Sequence, residues 1–348
     1  MTEKEWPILS KSAWIEDDTL IIVDETKLPF KLEYIKGSSY HDAVRAIKEM
    51  RTRAAGQLYT VLYAMLLTAR KNKNKKPEEI LKILKEAADA LGNARPTFPL
   101  KAISHSVYKY ALEAYNEGED VVEAVEHIVA ATIKKREERI MKIAQNASQL
   151  IKDGDTVLTH CNISGTLVLI ARECRKQGKN VKFIATETRP YLQGARLTAW
   201  ELKQDGFPVI LITDNAVAYV MWKKMVDLVI VGADRCALNG DIANKIGTYQ
   251  IAMAAFEHNV PFYVIAWPDP AIPTGKDITI EERDPNEVLY YQNIRLAPEG
   301  VNAYYPAFDV TSAKYISGII TPEGIYSPRV IHLYINKISL RRVLDASD

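Results

Sequence analysis

Between residues 155 and 266 the chain repeats one pattern five times: a short, continuous apolar run rich in β-branched residues, followed by a gap long enough to hold a helix. The runs fall at 155–160, 181–185, 209–213, 228–231 and 261–266. Continuous rather than alternating hydrophobicity marks strands buried on both faces, and strands joined through helices are parallel. The pattern predicts a Rossmann-like, doubly wound parallel sheet with right-handed crossovers. Its first turn, Cys161-Asn-Ile-Ser-Gly165, lacks G-x-G-x-x-G, so no dinucleotide is inferred.

The first half has a different texture. Residues 19–23 and 31–35 read as strands, with Asp24 and Pro29 in the connection between them. From about 40 to 150 the spacing is helical: Ala43, Ile47 and Met50 share a face, a second helix runs from about 55 to 70, and Pro77 opens a third. The run Lys71-Asn-Lys-Asn-Lys-Lys76 reads as a solvated loop. Apolar positions from Val121 through Leu150 keep to one stripe, which predicts a single long helix linking two domains. The expected division is 1–150, a small β plus helical domain ending in that helix, and 151–348, the Rossmann-like catalytic domain.

Charge and cysteine content narrow the function classes. The formal net charge is +1, which gives no global electrostatic reason to coat nucleic acid or an anionic membrane. No apolar run approaches the ~20 residues of a membrane helix, and the start, Met1-Thr-Glu-Lys-Glu-Trp-Pro, has no apolar signal core. Three cysteines without C-x-x-C spacing fit a reducing, cytoplasmic compartment. No His, Cys and carboxylate cluster has metal spacing, so no metal site is expected.

In open parallel sheets ligands sit beyond the carboxyl ends of the strands, where strand order reverses. Cys161 follows the first strand, Glu187-Thr-Arg189 the second, Asp214 the third and Gly232-Ala-Asp-Arg235 the fourth. A strand order of 3-2-1-4-5 makes the first and fourth strands neighbours, so Cys161 and Asp234 would share a crevice. Alone, Cys161 also reads as a packing residue and Asp234 as a helix cap. His160 reads as a packed imidazole, and Cys174 and Cys236 as inert. Arg53 and Arg95, each beside an expected helix start, could cradle phosphate, although either also reads as a surface ion-pair partner. Asn244-Lys245 could add an amide and an ammonium, and Gln193 could hold a sugar hydroxyl.

Several stretches taken together resemble one family. They are Thr159-His-Cys-Asn162, the segment from Glu187 through Leu202, Gly232-Ala-Asp-Arg235, and Asn239-Gly-Asp-Ile-Ala-Asn-Lys-Ile-Gly-Thr-Tyr249. In order, over nearly the whole chain, they look like the methylthioribose-1-phosphate isomerases. Those enzymes are related to ribose-1,5-bisphosphate isomerases and to the regulatory subunits of translation initiation factor 2B. The resemblance implies an aldose–ketose isomerase of methionine salvage, without cofactor, acting as a homodimer on a sugar phosphate. It places catalysis on Cys161 and Asp234 and substrate binding on Arg53, Ala54, Ala55, Arg95, Gln193, Asn244 and Lys245. Asp241 is read as supporting these from behind. Two departures stand out. The isomerases carry Arg-Gly-Ala-Pro where this chain has Arg53-Ala-Ala-Gly56, an order closer to the bisphosphate isomerases, and the Cys161–Gly165 turn is one residue off the usual spacing. Ribose-1,5-bisphosphate isomerase and a non-catalytic initiation factor 2B-like subunit are the alternatives.

Overall fold

The structure, a computed structural model, describes residues 6–96 and 98–334, so the start of the first expected domain and the end of the second lie outside the described residues. The chain forms two compact units, Met1–Arg139 and Ile140–Asp348.

In the first unit β1 (Ala13–Glu16), β2 (Thr19–Val23) and β3 (Tyr34–Gly37) form an antiparallel sheet in that order. The second strand lies where the sequence puts it. The third starts at Tyr34 rather than Lys31, because the turn runs further: the Asp24 carboxylate takes the Thr26 N–H, and the Lys31 N–H closes back on the Lys27 carbonyl at 3.0 Å. Helices follow as α1 (Tyr40–Lys48), α2 (Ala55–Lys71), α3 (Pro77–Gly92) and α4 (Leu100–Asn116). Met50 lies beyond α1, not on its face. The helix ends in a Schellman closure, with the Arg51 N–H on the Ala46 carbonyl at 2.9 Å and Met50 at φ +53°. The core of this unit gathers Leu20 and Ile22 from the sheet, Ile47 from α1, Tyr59, Leu62, Met65 and Leu67 from α2, and Leu84 and Leu91 from α3. Burying side chains of this size contributes about 1.5–3 kcal/mol each. The long helix α5 (Val121–Ser148) is continuous as its stripe requires, and the division between the units falls within it.

The second unit holds β4 (Thr156–Thr159), α6 (Thr166–Lys176), β5 (Lys182–Thr186), α7 (Ala199–Gln204), β6 (Val209–Ile212), α8 (Val217–Trp222), β7 (Leu228–Gly232), β8 (Arg235–Cys236), β9 (Ile242–Lys245), α9 (Thr248–Glu257) and β10 (Phe262–Ile265). After them come α10 (Asn286–Leu289), β11 (Tyr290–Tyr291), β12 (Ile294–Arg295), β13 (Phe308–Thr311), β14 (Gly318–Thr321) and β15 (Gly324–Tyr326). The main sheet runs β15-β14-β10-β7-β4-β5-β6. All its pairings are parallel except β14 with β15. The five expected strands are therefore ordered 3-2-1-4-5, and β4 lies directly against β7, with Val157 opposite Leu228. A small antiparallel sheet, β13-β9-β8, follows β7, and β11 pairs with β12 in a short hairpin. Among the described residues no helix is long and apolar enough to cross a membrane, and no group of three His, Cys, Asp or Glu could hold a metal ion.

Candidate active site

Cys161 lies two residues past the end of β4, and Asp234 two residues past the end of β7. The two strands are hydrogen-bonded neighbours, so both residues leave the sheet at the same edge, where strand order reverses. The Cys161–Gly165 turn leans over the end of β7: a Cβ added at Gly232 would sit 3.4 Å from Ile163.

The backbone at Cys161 is left-handed, φ +65°, as it is at Ser164 and Gly165 in the same turn. This conformation costs a non-glycine residue about 1–2 kcal/mol, so other contacts must hold it. Two threonines supply them. The Cys161 N–H donates to Thr188 Oγ1 at 2.9 Å, and Thr198 Oγ1 donates to the Cys161 carbonyl at 2.6 Å. The next residue, Asn162, donates to Thr198 Oγ1 and Glu201 Oε1, both at 2.9 Å, and accepts the Ser164 N–H at 2.8 Å. Helix α6 opens at Thr166, behind a Gly165 cap, rather than at the cysteine itself. Cys161 is half-buried. Cys174 and Cys236 are fully buried, and burial pushes their thiols up to about 11 and about 12.

His160 is enclosed. Its Nε2–H donates to the Ile246 carbonyl at 2.8 Å, and the Thr186 hydroxyl donates to Nδ1 at 2.6 Å. Burial lowers its pKa, opposed by Asp214, so it is a neutral packing imidazole that ties β4 to the β9–α9 turn.

Asp234 departs from the sequence expectation of a poorly hydrated crevice: it is exposed. The chain turns off β7 through Gly232 and Ala233, and the Asp234 N–H pairs with the Ala243 carbonyl at 2.9 Å, which carries the residue out along the small sheet rather than under it.

Gln193, Asn244 and Lys245 are buried. The Gln193 Oε1 is enclosed and, among the described residues, has no hydrogen-bond partner. Gln193 precedes a π-turn, Gly194–Thr198, that runs straight into α7. Gly194 has to be glycine, since a Cβ there would lie 1.8 Å from the Thr186 carbonyl oxygen. Asn244 Nδ2 donates to Thr248 Oγ1 at 3.0 Å. The Lys245 ammonium lies 4.2 Å from the Phe308 ring centroid and favours ionisation of Asp309. Burial outweighs that effect and pushes the Asp309 carboxyl up to about 6, although it caps α9 by accepting the Gly247 and Tyr249 N–H groups. Asp241 takes N–H bonds from Gly275 at 3.1 Å and Ala313 at 2.8 Å, a clamp on neighbouring loops.

In the first unit, Arg53 and Arg95 both belong to the start of α2. Arg53 precedes it, its N–H on the buried Glu25 carboxylate at 3.1 Å. Arg95 Nη1 reaches the Gln57 side-chain oxygen in the first turn at 3.1 Å. Ala54 is the exposed N-cap, at φ +41° and ψ −110°, and Ala55 is the buried first residue of the helix. The Arg53 backbone and the Arg95 guanidinium thus both lie at the amide end of a 17-residue helix, the end whose dipole favours anions.

Sequence reasoning missed Thr188, Thr198 and Glu201. All three lie in the 187–202 stretch already singled out, and two hydroxyls flanking a glycine that tolerates no side chain were the available signal.

Residues 51–328 match the initiation factor 2 subunit family. A methylthioribose-1-phosphate isomerase from Thermosipho melanesiensis is 43% identical over 323 residues, covering 89% of this chain and 93% of that protein. The crystal structure of 5-methylthioribose 1-phosphate isomerase from Pyrococcus horikoshii superposes with a TM-score of 0.85 at 35% identity, covering 96% of this chain and 98% of that one. A structure titled translation initiation factor eIF-2B, subunit delta, from A. fulgidus, superposes at 0.81 with 39% identity, covering 91% and 96%. The chain belongs to the initiation factor 2 subunit family, and over most of its length it is similar to methylthioribose-1-phosphate isomerases.

Proposed function

We propose that the protein isomerises 5-methylthio-D-ribose 1-phosphate to 5-methylthio-D-ribulose 1-phosphate in methionine salvage, with Cys161 and Asp234 as the reacting groups. The observation that carries the reading is the exit of both residues from adjacent strands, β4 and β7, at the reversal point. Its support is the 40–43% identity to proteins of that name.

A phosphate ester at C1 removes the free anomeric hydroxyl, so the ring does not open spontaneously. Asp234 donates a proton to the ring oxygen, and the C1–O bond breaks. Hydrogen then moves from C2 to C1, and the C2 hydroxyl gives its proton to the Asp234 carboxylate, which leaves the carbonyl at C2 and restores the acid. Cys161 serves as the base if that hydrogen moves as a proton, or as an electrostatic partner if it moves as hydride. C2 is oxidised as C1 is reduced, so the reaction balances without an external oxidant. Acid–base assistance of this kind contributes about 10²–10⁴-fold. Asp234 is exposed in the protein without substrate, so on this reading the desolvation that favours a protonated carboxyl comes from the bound sugar. In the second unit Lys245 and Asn244 offer an ammonium and an amide to the phosphate, and Gln193 turns its enclosed oxygen to a sugar hydroxyl; in the first, Arg53 and Arg95 with Ala54 and Ala55 offer an anion-binding corner of their own.

The same reading makes the protein a cytoplasmic homodimer. No disulfide joins the three cysteines, as a reducing compartment would have it, and α8 and α9 expose large apolar side chains, Tyr219 and Trp222 on the first and Met253 and Phe256 on the second, that a second copy could cover. The 39% identity to a chain titled as an initiation factor subunit keeps a second reading, a non-catalytic regulatory subunit. Turnover of methylthioribose 1-phosphate and ribose 1,5-bisphosphate, assayed side by side on the purified protein, separates the readings. The methylthio sugar is expected to be the better substrate. Preference for the bisphosphate reassigns the substrate, and no turnover of either favours the regulatory subunit.

A further inference from the structure

We propose that Thr198 and Thr188 are positioning residues for the isomerisation: their hydroxyls grip the peptide groups on either side of Cys161 and so set where its sulfur points. The inference rests on the reading that Cys161 is a reacting group. It gives a role to the 187–202 stretch, from which the substrate-binding argument uses Gln193 alone.

The geometry is two-sided. Thr188 Oγ1 accepts the Cys161 N–H, and Thr198 Oγ1 donates to the Cys161 carbonyl. Both threonines are buried, so neither bond is readily replaced by water. A left-handed φ at a residue with a side chain persists only where its surroundings over-determine it, and such residues gather at functional sites. Were the carbonyl released, the turn would relax toward negative φ, and the Cα–Cβ bond that carries the sulfur would swing with it.

A second layer fixes the hydroxyls themselves. Asn162 donates to Thr198 Oγ1 and also to Glu201, one turn further along the same segment. Thr188 is set by its own N–H on the Asp214 carboxylate at 2.7 Å. The π-turn at Gly194–Thr198 inserts an extra residue just before α7, which rotates Thr198 relative to a regular helix, and π-turns recur at functional sites. Gly194, pressed against the Thr186 carbonyl, anchors the start of that turn. A threonine needed only for packing would not require this register.

The test compares Thr198→Val, which keeps the volume and removes the hydroxyl, with Thr198→Ser, which keeps the hydroxyl, and adds Thr188→Val for the opposite side. Two readouts are taken on each: kcat and KM with methylthioribose 1-phosphate, and the rate at which iodoacetamide alkylates Cys161, read by peptide mass spectrometry. Misplacing a reacting group by ~1 Å costs up to about 100-fold, so Thr198→Val is expected to lower kcat at least about tenfold with KM within about twofold. Thr198→Ser should restore most of the loss, and Thr188→Val should reproduce the kcat effect. Cys161 alkylation should change at least about threefold in both valine variants and return in the serine variant. Wild-type kcat and alkylation in both valine variants overturn the proposal, as does a rise in KM alone or a serine variant as impaired as the valine. If the wild-type protein turns over neither sugar phosphate, the functional reading fails, and the alkylation rates alone decide whether the clamp exists.

Discussion

Ala54 stands where the isomerase-like loop carries glycine, and it keeps the glycine conformation, φ +41° with ψ −110°. The exchange therefore leaves the corner at the start of α2 in a backbone region that favours a residue without a Cβ. Relieving the strain outweighs the extra unfolded-state freedom of glycine, so Ala54→Gly is expected to raise the unfolding free energy by about 0.5–1 kcal/mol. Denaturant unfolding of the two proteins checks this, and a destabilised glycine variant would contradict it. At this scale the places of Cys161 and Asp234 at the ends of neighbouring strands were legible in the sequence, because strand-end position is a one-dimensional property. It could not disclose the exposure of Asp234, which depends on how the chain leaves β7. Nor could it disclose the grip of Thr188 and Thr198, which depends on a segment returning across the sheet edge.

Asp309 shows how one side chain sets an element's dependence on pH. It sits in β13 opposite Asn244, caps α9 through two N–H groups, and titrates near 6 against an ordinary value of 3.8. Burial favours the protonated form in the folded state. The stability it contributes is therefore full below about 3.8 and is lost as pH rises through about 6. Asparagine does not titrate, so Asp309→Asn should gain on wild type as pH rises from about 5 to about 7.5, measured by urea unfolding at both values. A gap that stays constant or moves the other way contradicts the assignment. The elements themselves were legible in proportion to their length and pattern. The apolar runs that became β4, β5, β6, β7 and β10, the helix opened by Pro77 and the long stripe of α5 all follow from periodicity. The two-residue β8 and the Ile-Ala-Asn-Lys strand β9 carry no strand signature, since cross-strand partners rather than propensity make them strands. β14 escaped notice as Gly-Ile-Ile-Thr, too short to separate from a loop before its parallel partner β10 is known.

At the scale of the whole molecule, each unit carries a proposed role of its own: guanidinium groups at the start of α2 in the first, and the reacting pair with a buried amide and ammonium in the second. The division of labour matches the chemistry. A phosphate needs fixed cations and helix amides, while ring opening and hydrogen transfer need an acid and a thiol at the open edge of a parallel sheet. The account stands on the reacting pair. The most direct measurement is the turnover number for methylthioribose 1-phosphate of Cys161→Ser and Asp234→Asn beside wild type, with circular dichroism confirming that each is folded. Each variant is predicted to lose at least about 10²-fold in kcat, the lower bound for removing one acid–base participant. Folded variants that keep wild-type turnover would contradict the account.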